Sequence, residues 1–115
     1  MTTEESLDQI DHIAIPVTAE TLDGTVEFYL KNFNCSTLYR DNTWAFLRFG
    51  NIKLAFVVPD QHPPHVAFVS ARAEEFGELK LHRDGTRSVY INDPAKNTIE
   101  IMAPYTSPVP APKEE

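Results

Sequence analysis

A carboxylate inside an apolar strand is the first candidate for chemistry in this sequence. Glu100 lies in TIEIM, residues 98–102, between Ile99 and Ile101. Alternation along a strand puts Glu100 on the face opposite to these isoleucines, together with Met102. An ionised carboxylate costs several kcal/mol when it is desolvated without a partner. Glu100 is therefore expected to have a specific partner, and a metal ion is the partner that would do chemistry.

Two histidines open two similar segments of the chain. HIAIPVTA begins at His12 and HVAFVSA begins at His65, 53 residues later. Each histidine shares a strand face with an alanine, and small neighbours leave room for a cavity. Two imidazoles and one carboxylate, with positions left for water or substrate, bind catalytic Fe(II), Mn(II) or Zn(II). If the two segments are related by a pseudo-twofold axis, His12, His65 and Glu100 converge on one divalent metal ion.

The elements around these residues also repeat. Apolar residues at helical spacing, from Leu22 to Phe33, follow the first histidine segment, and the shorter ARAEEFGELK, residues 71–80, follows the second. Turn residues then separate three strand-like segments in each half, at 36–40, 43–50 and 51–58 and at 79–83, 86–92 and 98–103.

This order predicts an α+β fold built from two βαβββ modules. The modules cover about residues 9–59 and 62–104, and residues 1–8 and 105–115 are expected to be flexible tails. A module of roughly 50 residues is marginal alone, so we expect one domain whose strands form a curved mixed sheet around a metal or ligand cleft.

Composition restricts the partners and the compartment. The 115 residues carry a formal net charge of −7 without a basic stripe, which argues against nucleic acid as a partner. The single cysteine, Cys35, excludes an intramolecular disulfide, and the first residues lack the apolar core of a secretion signal. No apolar run approaches the roughly 20 residues of a membrane span. We expect a soluble, cytoplasmic protein with no membrane partner.

The order of motifs resembles the vicinal oxygen chelate superfamily. DHIAIPV opens the first module, HPPHVAFV opens the second, and RSVYINDPAKNTIEIM closes it. The superfamily includes glyoxalase I, extradiol dioxygenases, fosfomycin-resistance thiol transferases, methylmalonyl-CoA epimerase and the metal-free bleomycin-resistance proteins. The resemblance covers about residues 9–104. It implies that His12, His65 and Glu100 are the metal ligands and that the protein is a homodimer.

The sequence departs from the family pattern at two places. Ala95 and Lys96 stand where relatives commonly have aspartate and glycine. Lys53 aligns with Glu100, at the position where the glyoxalase pattern has a further carboxylate ligand, and a protonated lysine has no lone pair for a metal. This argues against glyoxalase I activity. Lys53 is instead a candidate catalytic residue, as is Tyr90, because family members often direct its strand toward the pocket.

The expected function is a metal-dependent enzyme that binds a small oxygenated substrate through adjacent oxygens. Dioxygenase-type chemistry is favoured because the ligand set is the Fe(II) type. One alternative is a metal-free drug-binding protein similar to the bleomycin-resistance proteins, in which Lys53 pairs with Glu100. A second alternative is a fosfomycin-type thiol transferase, in which the phosphonate is surrounded by Lys53, Arg48 and Arg87. A third is a degenerate family member that acts as a subunit or regulator.

Other residues are expected to be structural. His62 is interpreted as a linker residue and His82 as a solvated turn residue, while aromatic side chains pack the core or line the pocket: Trp44, Phe46 and Phe56.

Overall fold

The computed structural model describes residues 7–104. The predicted tails, 1–8 and 105–115, lie outside this range except for residues 7 and 8. The described chain forms two compact units, the first of residues 11–66 and the second of residues 7–10 together with 67–104. That the whole chain is a single domain stays a prediction.

The predicted α+β class is confirmed. Within residues 7–104 the elements are β1 (Gln9–Pro16), α1 (Leu22–Asn32), β2 (Ser36–Arg40), β3 (Trp44–Arg48), β4 (Lys53–Val57), β5 (His65–Val69), a 3₁₀ turn (Ala73–Phe76), β6 (Lys80–Leu81), β7 (Arg87–Asn92) and β8 (Thr98–Met102). Each half thus runs strand, helical segment and three strands. No helix in this range is long and apolar enough to cross a membrane.

The first unit is a mixed sheet with the strand order β2-β3-β4-β1. β2 and β4 both pair antiparallel with β3, whereas β1 and β4 are parallel. The register places His12 beside Lys53 and Ala14 beside Ala55. The histidine and the lysine are therefore neighbours on adjacent strands.

Helix α1 covers the face of this sheet that does not carry His12. Its Leu22 and Val26, one turn apart, are buried against Leu47 and Phe56, and Ile15 of β1 packs on the same cluster. Burial of each large side chain contributes roughly 1.5–3 kcal/mol. Because side chains alternate along β1, this packing places His12 on the opposite face.

The second unit has the strand order β5-β8-β7-β6, with residues 67–69 of β5 in this unit and His65 and Val66 in the first. β7 pairs antiparallel with β8, and the register sets Tyr90 directly opposite Glu100 and Ser88 opposite Met102. Residues two apart on a strand lie on one face, so Ser88 and Tyr90 both flank Glu100.

The helix predicted within residues 71–80 is wrong in type and length. The chain forms only the 3₁₀ turn Ala73–Phe76, and Phe76 is exposed. The turn ends at Gly77, whose φ of 150° is a conformation that L side chains rarely adopt. A Cβ at Gly77 would lie 3.0 Å from Val89 Cγ2, so the backbone approaches β7 closely there. The helical segment therefore ends at Gly77 after four residues, which are too few for an α-helix.

The turn between β7 and β8 is built on Asp93. Its carboxylate accepts hydrogen bonds from the backbone N–H groups of Ala95 and Asn97, at 3.0 and 2.8 Å. Lys96 adopts a φ of 72°, and among residues 7–104 it is the one non-glycine residue with positive φ. Lys96 therefore places a side chain in the left-handed conformation, which the glycine common in relatives would adopt without this penalty.

Lys96→Gly is expected to stabilise the protein by about 0.5–1 kcal/mol, because glycine removes a left-handed penalty of about 1–2 kcal/mol and adds a smaller entropy cost. The midpoint of urea unfolding measures this change. Ala95→Gly, in the same turn, is the matched control and should lower stability. Equal losses in both variants would contradict the proposed backbone strain.

Candidate functional site

His12 and His65 approach each other through one nitrogen each. Their Nε2 atoms lie 3.2 Å apart within the first unit, and the two rings meet nearly edge to face. This contact joins the two histidines that the sequence repeat singled out, His12 within β1 and His65 at the start of β5.

The other nitrogen of each ring fixes the tautomer. His12 Nδ1 donates to Asp11 Oδ2 at 2.7 Å, and His65 Nδ1 donates to the Pro63 carbonyl at 2.8 Å. A carboxylate and a carbonyl only accept, so each Nδ1 carries the hydrogen and each neutral ring presents a lone pair at Nε2. Two lone pairs at 3.2 Å repel unless a proton or a metal ion lies between them.

The spacing fits a metal ion. Metal–nitrogen bonds of about 2.0–2.1 Å, the length for zinc, span the 3.2 Å separation at an N–metal–N angle of roughly 100°. A hydrogen bond from an Nδ1 atom to a carboxylate or a carbonyl is also the usual support of a metal-ligating histidine.

Asp11 connects His12 to Lys53. Lys53 Nζ donates to Asp11 Oδ1 at 2.9 Å while Oδ2 accepts from His12, so each carboxylate oxygen has one cationic or N–H partner. The hydrogen bond from His12 is the largest influence on the pKa of Asp11. That bond and the nearby Lys53 lower the pKa, although burial opposes the shift. Asp11 is therefore ionised at neutral pH.

Sequence reasoning missed Asp11, although its position directly before His12 was visible. It also offered Lys53 only Glu100 as a partner, since the alignment compares positions between modules and not neighbours along one strand.

Aromatic side chains flank His12 on its face of the sheet. Phe46 meets His12 edge to face at 5.2 Å between ring centroids, and Trp44 lies 5.4 Å from Phe46. Both pack on small residues, including Ala14. His62 contacts Trp44 at 5.8 Å, whereas Phe56 is fully buried under α1 on the opposite face. Trp44 and Phe46 are thus placed beside the first histidine.

Glu100 belongs to a buried polar chain in the second unit. Ser88 Oγ donates to Glu100 Oε2 at 2.6 Å, and His82 Nε2 lies 2.7 Å from Ser88 Oγ and 3.8 Å from the same carboxylate oxygen. Glu100 is only 6% exposed. His82 was interpreted from the sequence as solvated, but it contacts Ser88 in this hydrogen-bonded group. Ser88 itself was not singled out, because a single serine in a strand forms no recognisable motif.

Tyr90 lies beside the same carboxylate. Partial burial, the negative charge of Glu100 and a hydrogen bond to it all raise the pKa of the Tyr90 phenol. The phenol therefore keeps its proton throughout the neutral range. The structure thus groups His12, His65 and Lys53 in the first unit, and Glu100 and Tyr90 in the second.

Comparisons with known proteins identify the fold. No family model and no curated protein matches this chain. A glyoxalase/bleomycin resistance protein/dioxygenase superfamily member from Vibrio splendidus superposes with a TM-score of 0.63 at 7% identity, over 85% of this chain and 100% of that chain. Methylmalonyl-CoA epimerase from Streptomyces coelicolor, in a complex with 2-nitronate-propionyl-CoA, gives 0.61 at 18% identity, over 88% and 100%. The chain has the vicinal oxygen chelate fold.

The chain is also similar in structure to a protein whose description states no activity. A hypothetical protein from Bacillus halodurans superposes with a TM-score of 0.61 at 16% identity, over 87% of this chain and 96% of that chain. At these identities the likeness concerns the fold, and the activity must be argued from the residues.

Tyr90 is expected to ionise well above pH 10, the ordinary range of a tyrosine. Because the folded state disfavours the phenolate, stability linked to Tyr90 is retained below pH 10 and falls as the pH rises above it. Tyrosinate absorbance during an alkaline titration, compared with Tyr90→Phe, isolates this group.

Glu100→Gln removes the negative charge and should lower the pKa of Tyr90 part of the way, since burial remains. An ordinary pKa for Tyr90 in the unmodified protein would contradict the described environment.

Proposed function

We propose that this protein is a metal-dependent enzyme acting on a small oxygenated substrate, with His12, His65 and Glu100 holding one divalent ion. The observation that carries the proposal is the 3.2 Å contact between the Nε2 atoms of the two histidines. Both Nδ1 atoms donate to acceptors, so a proton or a metal ion lies between the facing Nε2 atoms, and the proposal assigns this place to a metal ion.

The donor set indicates the kind of ion. His12, His65 and Glu100 each offer one ligand atom, and two imidazoles with one carboxylate suit Fe(II), Mn(II) or Zn(II). When bound, such an ion polarises substrate oxygens or activates dioxygen. Three protein ligands leave positions for two adjacent substrate oxygens, and this set favours dioxygenase-type chemistry among the reactions of the fold.

Neighbouring residues prepare the ligands. Asp11 accepts the Nδ1 hydrogen of His12, which places the lone pair of the neutral ring at Nε2, and Lys53 balances the charge of Asp11. Tyr90 keeps its proton and can donate a hydrogen bond to Glu100 or to a substrate oxygen. We assign Lys53 and Tyr90 these supporting roles in catalysis.

The fold supports the same proposal. The vicinal oxygen chelate fold includes methylmalonyl-CoA epimerase, an enzyme of small-molecule chemistry. A homodimer and a cytoplasmic location belong to this proposal.

The purified full chain, prepared without a histidine tag, is expected to bind about one Fe(II), Mn(II) or Zn(II) ion per chain in calorimetry and elemental analysis. His65→Ala should weaken metal binding by more than about 100-fold, because it removes a ligand. This loss is larger than the loss expected when a supporting residue is removed. His62→Ala is the matched control, because it removes a histidine that contacts Trp44 instead of His12.

Equal affinity in the two variants would reject the ligand assignment. Failure of the unmodified chain to bind any of the three ions would favour the metal-free drug-binding alternative.

A further inference from the structure

A buried serine connects the third proposed ligand to a histidine. Ser88 is 1% exposed, and Glu100 is 6% exposed. Ser88 Oγ lies 2.6 Å from Glu100 Oε2 and 2.7 Å from His82 Nε2, so both neighbours are within hydrogen-bond distance of one hydroxyl. The function proposed above gives no role to this serine.

The single hydrogen of the Ser88 hydroxyl determines which group donates in each of its two hydrogen bonds. Ser88 has one hydrogen, which it donates to the carboxylate of Glu100. The Ser88 oxygen must then accept the hydrogen of His82 Nε2. Donation runs from His82 to Ser88 to Glu100 Oε2, and consecutive hydrogen bonds of this kind strengthen one another.

The backbone holds each member in place. Ser88 and Glu100 lie on paired strands, two positions off direct register, so their side chains share a face. His82 is fixed by a tight turn, in which its N–H donates to the Thr86 carbonyl and its carbonyl accepts from Gly85. A serine is short enough to bridge the two inside a buried site.

We propose that Ser88 is a positioning residue that holds the Glu100 carboxylate in the orientation in which it binds the metal. This inference rests on the proposed function. The bond from Ser88 prevents the carboxylate from rotating away from this arrangement.

Zn(II) calorimetry on the full chain tests this proposal. Ser88→Ala is expected to weaken Zn(II) binding by about 10–100-fold, the usual cost of removing a group that orients a ligand. Ser70→Ala is the matched control, because Ser70 is also a buried serine of the second unit but accepts its hydrogen bond from the Arg72 N–H. Its Zn(II) affinity should equal that of the unmodified chain.

Ser88→Thr separates positioning from stability. The added methyl group crowds a buried position and should lower the unfolding temperature, yet the retained hydroxyl should keep Zn(II) affinity within several-fold of the unmodified chain. A merely structural role for Ser88 predicts instead that affinity follows stability in both variants. If Ser88→Ala does not fold, His82→Ala replaces it, with an expected several-fold loss because the hydroxyl is no longer held.

The outcomes distinguish this inference from the proposed function. Absence of Zn(II) binding in the unmodified chain, together with no Fe(II) or Mn(II) binding, rejects the proposed function. Normal Zn(II) binding in Ser88→Ala, or in a folded His82→Ala if it replaces that variant, rejects the role of Ser88 alone. Binding by Ser88→Thr as weak as that of Ser88→Ala also rejects it, because the hydroxyl would then not be the decisive group.

Discussion

The contact between the Nε2 atoms of His12 and His65 is the constraint on which the account depends. At 3.2 Å two neutral imidazole nitrogens that both lack a hydrogen repel, and a cation converts this repulsion into attraction. Three features of the first unit hold the histidine side chains in place: the parallel pairing of β1 with β4, helix α1 on the opposite face of the sheet, and a hydrogen-bond acceptor for each Nδ1 atom. The fold thus brings two imidazole nitrogens to the separation at which one metal ion could bind both.

Each proposed ligand has its own support. His12 is supported by Asp11, which Lys53 neutralises, and His65 is supported by the Pro63 carbonyl. Glu100 is supported by Ser88, which His82 contacts. Removing a group that orients a ligand usually weakens metal binding by about 10–100-fold. Lys53 therefore contributes to the proposed site by neutralising Asp11, although its ammonium group cannot bind a metal ion.

Much of the fold could be predicted because it depends on periodicity. Alternation and turn residues located the strands, and helical spacing located α1. The segment at residues 71–80 showed the same spacing but failed, because its structure is decided by the close approach of Gly77 to Val89, a tertiary contact that local sequence does not display.

Part of the candidate site could be proposed from the sequence. His12, His65 and Glu100 stood out because a repeat and an apolar strand made them exceptional. Asp11 and Ser88 did not, since a residue that acts by contacting another is recognised only when register and turn geometry are known. Lys53 was found as an anomaly, but its contact with Asp11 depends on the pairing of β1 with β4.

The most direct test of the central claim is a crystal structure of the protein grown with Zn(II), with anomalous diffraction recorded at the zinc absorption edge. The account predicts one strong anomalous peak per chain, about 2.0–2.2 Å from the Nε2 atoms of His12 and His65 and from one carboxylate oxygen of Glu100. Two histidines that keep their 3.2 Å contact while zinc binds elsewhere, or not at all, would contradict it.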